Sequence, residues 1–173
     1  MVDFDKAEKE YTAKSIELLT ELEGIRKRPG MYVEGTGSNG LHQLVWEIVD
    51  NAEDEAVNGY GDRITVIMHK DGSIEVQDEG RGLPVDIHEQ THMPAVQLIF
   101  TTLHSGGKFN SKTYATSSGL HGVGATVTNA LSEWLDVTVY RESQIYHIRF
   151  HNGGSVETKL EVIGKTNKHD AAL

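Results

Sequence analysis

Apolar residues recur with helical spacing in the segment 41–58, where the hydrophobic pattern of the chain is strongest. One stripe of a helical repeat contains Leu41, Leu44, Val45, Ile48, Val49, Ala52 and Ala56. The charged residues of this segment are all negative, and no Lys or Arg offsets them. The pattern predicts an amphipathic helix with an acidic face, which is either simply solvated or holds a cation.

Shorter apolar patterns predict the other elements. Helical spacing indicates helices around Leu18, Leu22 and Ile25 and over the ranges 94–104 and 122–132. Alternating β-branched and polar residues predict strands over 62–69, 73–78, 134–140, 144–150 and 156–162. A turn at 70–72 is typical of a hairpin between the first two strands. Trp46 and Trp134 lie in apolar patterns and are expected in the core.

The composition favours one soluble domain. We expect a polar arm over 1–14, a single domain over 15–164 and a polar, unstructured tail over 165–173. A net charge of −10 argues against a large nucleic-acid footprint on this chain. The absence of cysteine excludes disulfides, and no apolar run is long enough to span a bilayer. These features together favour a cytoplasmic location.

A glycine motif follows the second predicted strand, with the sequence Asp78-Glu79-Gly80-Arg81-Gly82-Leu83-Pro84. Its glycines let the backbone pass close to a ligand. A carboxylate at the strand end can accept a hydrogen bond from the exocyclic amine of adenine. The alternative is that Asp78 merely caps the turn at 80–82. The motif alone leaves both interpretations open.

A second glycine motif opens the helix predicted over 122–132, with the sequence Gly119-Leu120-His121-Gly122-Val123-Gly124. Backbone N–H groups at a helix N-terminus bind anions, so this loop is expected to cradle a polyphosphate. The preceding segment, 105–119, is poor in apolar residues and long for a connection, which indicates a functional lid.

The acidic helix face complements these two motifs. Glu47 and Asn51 lie one helical turn apart, and phosphates bound beside them would be repelled unless a divalent cation bridged the charges. The amide oxygen of Asn51 suits Mg²⁺. Glu47 is then free to act as a general base on the water that attacks the γ-phosphorus of ATP. The residues therefore predict an ATP site that uses Mg²⁺.

The order of these motifs carries a family resemblance. The helix motif reads Glu47-Ile48-Val49-Asp50-Asn51-Ala52-x-Asp54-Glu55-Ala56 and precedes both glycine motifs. In these three motifs and their order, the chain resembles the ATPase region of the B subunits of bacterial type IIA topoisomerases, DNA gyrase and topoisomerase IV. The resemblance extends to the segments 26–32 and 103–109, so it covers nearly the whole chain. It implies a GHKL-type fold, an α/β (α+β) two-layer sandwich with helices on one face of a mixed, largely antiparallel sheet.

The resemblance also implies roles for residues at the centre of the site. Glu47 would be the catalytic base, Asn51 the ligand of Mg²⁺ and phosphate, and Asp78 the adenine reader, which Gly82 assists through water. The phosphates would be wrapped by Gly119, Leu120, His121, Gly122, Val123, Gly124 and Ala125.

Further residues would complete the site at its edges. Glu55 belongs to the implied nucleotide site, and the adenine pocket, where aminocoumarin-type inhibitors bind in this family, would be rimmed by Arg81, Pro84 and Arg141. Lys108 and Tyr114 would lie in the lid near the nucleotide. Tyr11 and Ile16 would belong to an arm that embraces a second protomer when ATP is bound.

The implied protein hydrolyses ATP to drive DNA strand passage together with an A-type cleavage subunit, and it meets DNA only in the holoenzyme. Overall similarity favours topoisomerase IV. The alternatives are the B subunit of DNA gyrase and a nucleotide-binding interaction module without turnover.

The chain departs from the family pattern in two respects. Gln43 stands four residues before the base, where the family has a histidine, and can still hydrogen-bond Glu47. A later Gly-Thr strand and a second domain with a phosphate-binding lysine are missing. The chain is therefore expected to be a truncated ATPase fragment that binds ATP with weak turnover.

Overall fold

The computed structural model describes residue 13 and the ranges 16–105, 122–167 and 171–172. Its helices are α1 (Glu21–Lys27), α2 (Ser38–Val57), α3 (Ala95–Thr101) and α4 (Gly124–Leu131), with a short 3-10 helix at Pro29–Met31. Its strands are β1 (Ile64–Met68), β2 (Ile74–Asp78), β3 (Trp134–Arg141), β4 (Gln144–His151), β5 (Ser155–Lys165) and β6 (Ala171–Ala172). The predicted arm and lid lie almost entirely outside the described residues.

The strands form two antiparallel sheets. β1 pairs with β2 as the predicted hairpin, and the other four strands follow the order β5-β4-β3-β6. Among the described strands every pairing is antiparallel, so the parallel component of the predicted mixed sheet is not represented there. β6 also lies close to β2, which brings the hairpin next to the larger sheet.

The short strand β6 contradicts the prediction of an unstructured tail. Its two residues pair antiparallel with Val139 and Tyr140 of β3. The polar composition of the tail predicts a loop, but the edge of β3 offers unpaired backbone groups that a passing segment can satisfy. Pairing here is determined by the neighbouring strand rather than by the local sequence.

Helix α1 begins later than the apolar spacing predicts. Thr20 and Glu23 form a capping box, in which the Thr20 N–H donates to Glu23 Oε2 at 2.8 Å and the Glu23 N–H donates to Thr20 Oγ1 at 3.3 Å. Leu18 therefore precedes the helix, and its side chain is 93% exposed. The interpretation of Leu18 as a helical core position is wrong, because the stronger N-cap signal lies two residues further on.

The core confirms a two-layer arrangement. One cluster joins α3 to the inner face of the sheet and consists of Val96, Phe100, Val137, Val139, Ile148 and Phe150. A second cluster joins the helices and consists of Ile25, Val33, Leu44, Val127 and Ala130. The other face of the sheet carries an ion-pair network of Asp136, Arg149 and Glu157. Helices therefore cover one face of the sheet, while the other face is polar.

Helix α4 is fixed in the helical layer by buried polar side chains. Thr126 Oγ1 donates to the carbonyl of Ile99 at 2.9 Å, and Asn129 Nδ2 donates to that of Phe100 at 2.9 Å. Thr128 Oγ1 donates to the carbonyl of Leu44 at 3.2 Å. These bonds tie α4 to both α3 and α2, so the glycine motif at its start is held in place relative to α2.

The two tryptophans are not core residues, contrary to expectation. Trp46 is 63% exposed on α2, because it follows the buried stripe by one residue and is rotated about 100° away from it. Trp134 lies on the polar face of the sheet with the Arg149 guanidinium 5.0 Å from its ring centroid. Within the described ranges, no helix has the length and apolar character needed to cross a membrane.

Candidate functional site

One face of α2 forms the axis of the candidate site. Glu47, Asn51 and Glu55 follow one another at four-residue spacing and are partly buried. Such residues align along a helix, and at 1.5 Å per residue the outer two are about 12 Å apart along its axis. A glycine turn from another part of the chain approaches each end of this row.

Gly124, the first residue of α4, packs directly against Glu47. A Cβ atom on Gly124 would lie 2.1 Å from Glu47 Oε2 and 2.9 Å from Glu47 Cβ, so any larger residue would displace the Glu47 side chain or α4. The Glu47 carboxylate thus lies at a helix N-terminus, where backbone N–H groups lack helical partners. Val123, the N-cap residue, has no side-chain oxygen with which to satisfy them.

Gly80 packs in the same way against Glu55. A Cβ atom on Gly80 would lie 2.8 Å from both Cβ and Cγ of Glu55 and 2.8 Å from Asp78 Oδ1. The loop after β2 is therefore pressed against α2 along its backbone. Gly82, two residues on, has a φ of +68°, which glycine adopts without strain.

Asp78 ends β2 and takes part in this turn. Its Oδ1 atom accepts a hydrogen bond from the Gly80 N–H at 2.8 Å. This bond is the one that the turn-capping interpretation requires. The adenine-reading role does not conflict with it, because a carboxylate has two oxygens and about four acceptor positions. That role stays a prediction.

Arg81 binds Glu55 through three hydrogen bonds. Its backbone N–H and its Nε donate to Glu55 Oε2 at 3.0 Å each, and its Nη2 donates to Oε1 at 2.8 Å. The guanidinium also lies over the Tyr60 ring, with its Cζ 3.8 Å from the ring centroid. The predicted residues Glu55 and Arg81 are therefore in direct contact.

Arg141 approaches the same loop from β3. Its Nη1 donates to the carbonyl of Gly82 at 3.5 Å. Pro84 lies partly buried on this loop, between Leu83 and Val85, which pack on the sheet core. The structure therefore brings Arg81, Gly82 and Arg141 together at this loop. Their role at the rim of an adenine pocket stays a prediction.

The other predicted residues divide into two groups. Asn51, Gly122, Val123 and Ala125 are described and lie on α2 or at the start of α4. Ile16 is described as well and is exposed before α1. The residues outside the described part of the chain are Tyr11, Lys108, Tyr114, Gly119, Leu120 and His121.

Gln43 does not take over the role of the usual histidine. Its Oε1 accepts from the Glu34 N–H at 3.0 Å, and its Nε2 donates to the carbonyl of Tyr32 at 3.4 Å. The side chain thus serves backbone groups of the 32–34 turn rather than Glu47, because that turn has polar groups to satisfy. The hydrogen bond that Gln43 could have made to Glu47 is therefore not formed.

Tyr60 is a site residue that sequence reasoning missed. It follows α2 and the Asn58-Gly59 pair, which is a usual helix-stop signal. That signal predicts a turn, but not that the ring would lie under a guanidinium from a distant loop.

The donor chemistry of the site fits Mg²⁺ bound together with phosphates. Within the described residues, no group of three or more His, Cys, Asp or Glu side chains could hold a metal ion alone. Mg²⁺ usually keeps waters and takes only one or two protein oxygens in addition to phosphate oxygens. The Asn51 amide on the acidic face of α2 supplies an oxygen of that kind.

A two-layer α/β fold, with an acidic helix face between two glycine turns, defines a nucleotide-binding domain of the ATPase type. Residues 36–162 match the sequence model of the histidine kinase-, DNA gyrase B- and HSP90-like ATPases. The chain belongs to this family.

Similar proteins narrow the resemblance to the B subunits of topoisomerases. The chain is 55% identical to the B subunit of DNA gyrase from Thermotoga maritima over 92% of its length, which is 25% of that protein. It is 56% identical to the B subunit of DNA topoisomerase 4 from Staphylococcus aureus over 91% of its length, which is 24% of that protein. The chain thus spans about a quarter of these curated relatives. Identities this close do not separate gyrase from topoisomerase IV.

A solved structure supports the same assignment. The 43K ATPase domain of Thermus thermophilus gyrase B, crystallised with an aminocoumarin, aligns with a TM-score of 0.76 at 45% identity. The alignment covers 89% of this chain and 38% of that one. The predicted fold class is confirmed.

Proposed function

We propose that this chain is the ATP-binding part of the B subunit of a type IIA DNA topoisomerase, in which ATP binding and hydrolysis drive DNA strand passage. The observation that carries the proposal is the closure of two glycine turns on one face of α2, Gly124 on Glu47 and Gly80 on Glu55. The polar row on α2 therefore lies between the N-terminus of α4, which is suited to bind anions, and the loop 78–82, which begins with the Asp78 carboxylate.

Glu47 is the general base in this proposal. Its carboxylate accepts a proton from water while the water oxygen bonds to the γ-phosphorus and the bond to the β-phosphate oxygen breaks. The N-terminus of α4 and the loop 119–125 bind the phosphates through backbone N–H groups. Asn51 would hold Mg²⁺, and that ion would neutralise the phosphate charge.

Asp78 reads the adenine edge at the other end of the row, and Gly82 assists through a water molecule. Glu55, Arg81, Pro84 and Arg141 form the rim of the adenine pocket. The contacts of Glu55 with Arg81 and of Arg141 with Gly82 support this placement. Because the similar gyrase B domain binds an aminocoumarin, ATP-competitive inhibitors of that class are expected to bind here.

The remaining assignments concern the whole protein. We place the ATP-binding domain at 15–164, with Lys108 and Tyr114 in a lid and with Tyr11 and Ile16 in an arm that joins a second copy. An A-type cleavage subunit supplies DNA cleavage, and the holoenzyme acts on DNA in the cytoplasm.

The test is Mg²⁺-dependent ADP release by the full-length protein, measured with and without its cleavage subunit and DNA. We expect turnover that requires Mg²⁺ and supports strand passage. Nucleotide binding without turnover under all these conditions would overturn the enzymatic assignment and leave an interaction module.

The reaction of the reconstituted holoenzyme also decides between the two topoisomerases. We favour topoisomerase IV on overall similarity, and expect ATP-dependent decatenation without negative supercoiling. Negative supercoiling of relaxed plasmid would instead identify gyrase.

A further inference from the structure

The C-terminus of α2 is closed by a Schellman motif beside the loop 78–82. Gly59 has a φ of +86°, and its N–H donates to the carbonyl of Ala56 at 2.9 Å. The N–H of Tyr60 donates to the carbonyl of Glu55 at 2.9 Å. These two bonds define the motif, and they turn the chain back so that Tyr60 is fixed to the turn that carries Glu55.

Glu55 consequently takes part both in the cap of α2 and in the attachment of the loop 78–82. Its carbonyl oxygen holds the backbone of Tyr60, and its carboxylate holds the backbone and guanidinium of Arg81. The Tyr60 ring then contacts the same guanidinium, 3.8 Å from Cζ to the ring centroid. Arg81 is therefore held at its edge by a carboxylate and on one face by an aromatic ring.

The residue after Tyr60 brings the same segment against the loop backbone. A Cβ atom on Gly61 would lie 2.5 Å from the Glu79 carbonyl oxygen and 3.1 Å from the Gly80 nitrogen. The φ of Gly61 is +77°, which also requires glycine. The helix cap and the loop that follows Asp78 therefore form one packed unit.

We infer that Tyr60 is a positioning residue for the nucleotide site, which acts through Arg81 to hold the loop 78–82 in the conformation that receives the adenine. The inference rests on the function proposed above. Tyr60 itself need not touch the nucleotide, because its ring fixes the guanidinium and Glu55 fixes the loop backbone at Arg81.

The test is a double-mutant cycle between Tyr60 and Arg81, read as ATP affinity of the 173-residue chain by calorimetry. We expect Tyr60→Leu to weaken ATP binding about 2- to 5-fold, the effect of losing a partly exposed cation–π contact. Tyr60→Phe keeps the ring face and should bind ATP as the unmodified chain does. In an Arg81→Gln background, Tyr60→Leu should cause no further loss.

Trp134→Leu is the matched control. An arginine, Arg149, also lies over the Trp134 ring. The two aromatic residues are equally exposed, Trp134 at 41% and Tyr60 at 40%. It lies on the polar face of the sheet, so its replacement should leave ATP affinity unchanged. A loss equal to that of Tyr60→Leu would mean that any removal of an exposed aromatic ring weakens binding, and would overturn the inference.

A second readout does not depend on nucleotide. The Arg81 Nε–H resonance should show a ring-current shift that Tyr60→Phe keeps and Tyr60→Leu removes. Two results would overturn this inference and leave the proposed function standing. One is that the losses of ATP affinity in the two single variants add in the double variant, and the other is that Tyr60→Leu leaves the Arg81 resonance unchanged. Failure of the unmodified, folded chain to bind ATP would overturn the proposed function and this inference with it.

Discussion

The two ends of the helix face on α2 are built differently. At the end proposed to receive the adenine, the adenine end, the loop 78–82 is joined to α2 by hydrogen bonds of Arg81 with Glu55 and is in contact with Tyr60 through Arg81. At the end proposed to bind the phosphates, the phosphate end, the described contact is the close approach of Gly124 to the Glu47 side chain. Both ends have a closely packed glycine, but within the described part of the chain only the adenine end combines glycine with an ion pair.

The difference suggests separate uses for two carboxylates of one helix. Glu55 is neutralised by Arg81 and is only 13% exposed, so it serves structure rather than proton transfer. No ion pair between described residues involves Glu47, which lies at a helix N-terminus instead. If Glu47 is the general base, as proposed, a braced adenine end and a carboxylate without an ion pair among the described residues are what an ATPase requires.

The largest expected effect is that of replacing the phosphate-end carboxylate. Glu47→Gln in the full-length protein should lower the rate of ADP release by about 10² to 10⁴, because it removes the proposed general base. ATP binding should persist. Glu53→Gln, an exposed change on the same helix, is the control and should leave turnover intact. Normal turnover in the Glu47 variant would remove Glu47 from the mechanism.

Gly124→Ala tests the contact between Gly124 and Glu47 by a change on α4 instead of α2. The added Cβ would lie 2.1 Å from Glu47 Oε2, so either the carboxylate or α4 must move. Such overpacking costs about 1 to 3 kcal/mol, and if that cost falls on the transition state we expect ADP release to fall roughly 5- to 150-fold.

Gly24→Ala is the matched control for this change. Gly24 is also helical, but its added Cβ would meet nothing within 4 Å, so alanine should be neutral or slightly stabilising. If Gly124→Ala were equally neutral, the packing of Gly124 against Glu47 would not matter for activity.

The elements that follow from local periodicity were predictable. The helix α2, the β1–β2 hairpin and the strands β3 to β5 all lie where apolar spacing and turn residues place them. Local patterns failed at Leu18, where a capping box decides the helix start, and at β6, where a neighbouring edge decides the pairing.

The chemistry of the site was predictable only where a motif carries it. Glu47 and Gly124 each belong to a motif, and the structure brings them together. Gln43 and Tyr60 could not be assigned, because their partners depend on tertiary packing. Tyr60 meets Arg81 across a hairpin, and Gln43 bonds a turn that the sequence does not place beside it.

Asp78→Asn tests the adenine end. Asparagine can still accept from the Gly80 N–H, so the turn cap survives, but its amide presents a donor or a weaker acceptor to the adenine amine. A buried mismatch of this kind costs about 1 to 3 kcal/mol, which predicts ATP binding weaker by roughly 5- to 150-fold.

Calorimetric titration of ATP and GTP against both proteins makes this measurement. GTP should bind poorly even to the unmodified chain, because its ring carbonyl faces the carboxylate acceptor to acceptor. Equal ATP affinity in a folded Asp78→Asn protein would show that Asp78 is a turn cap only.

The smallest expected effect separates two Arg–Glu pairs of the same loop region. Glu55→Gln leaves a neutral acceptor for the partly buried Arg81, so the charge-assisted bonds weaken to ordinary ones, a loss of about 1 kcal/mol. For a chain of this size that corresponds to a melting temperature about 2 to 4 °C lower.

The neighbouring pair of Arg63 and Glu79 is more exposed, with side chains 71% and 45% accessible. Glu79→Gln should therefore leave the thermal unfolding midpoint unchanged. If both variants melted at the same temperature, the Glu55–Arg81 pair would contribute no more to stability than a surface ion pair, and the adenine end would be no better preorganised than the phosphate end.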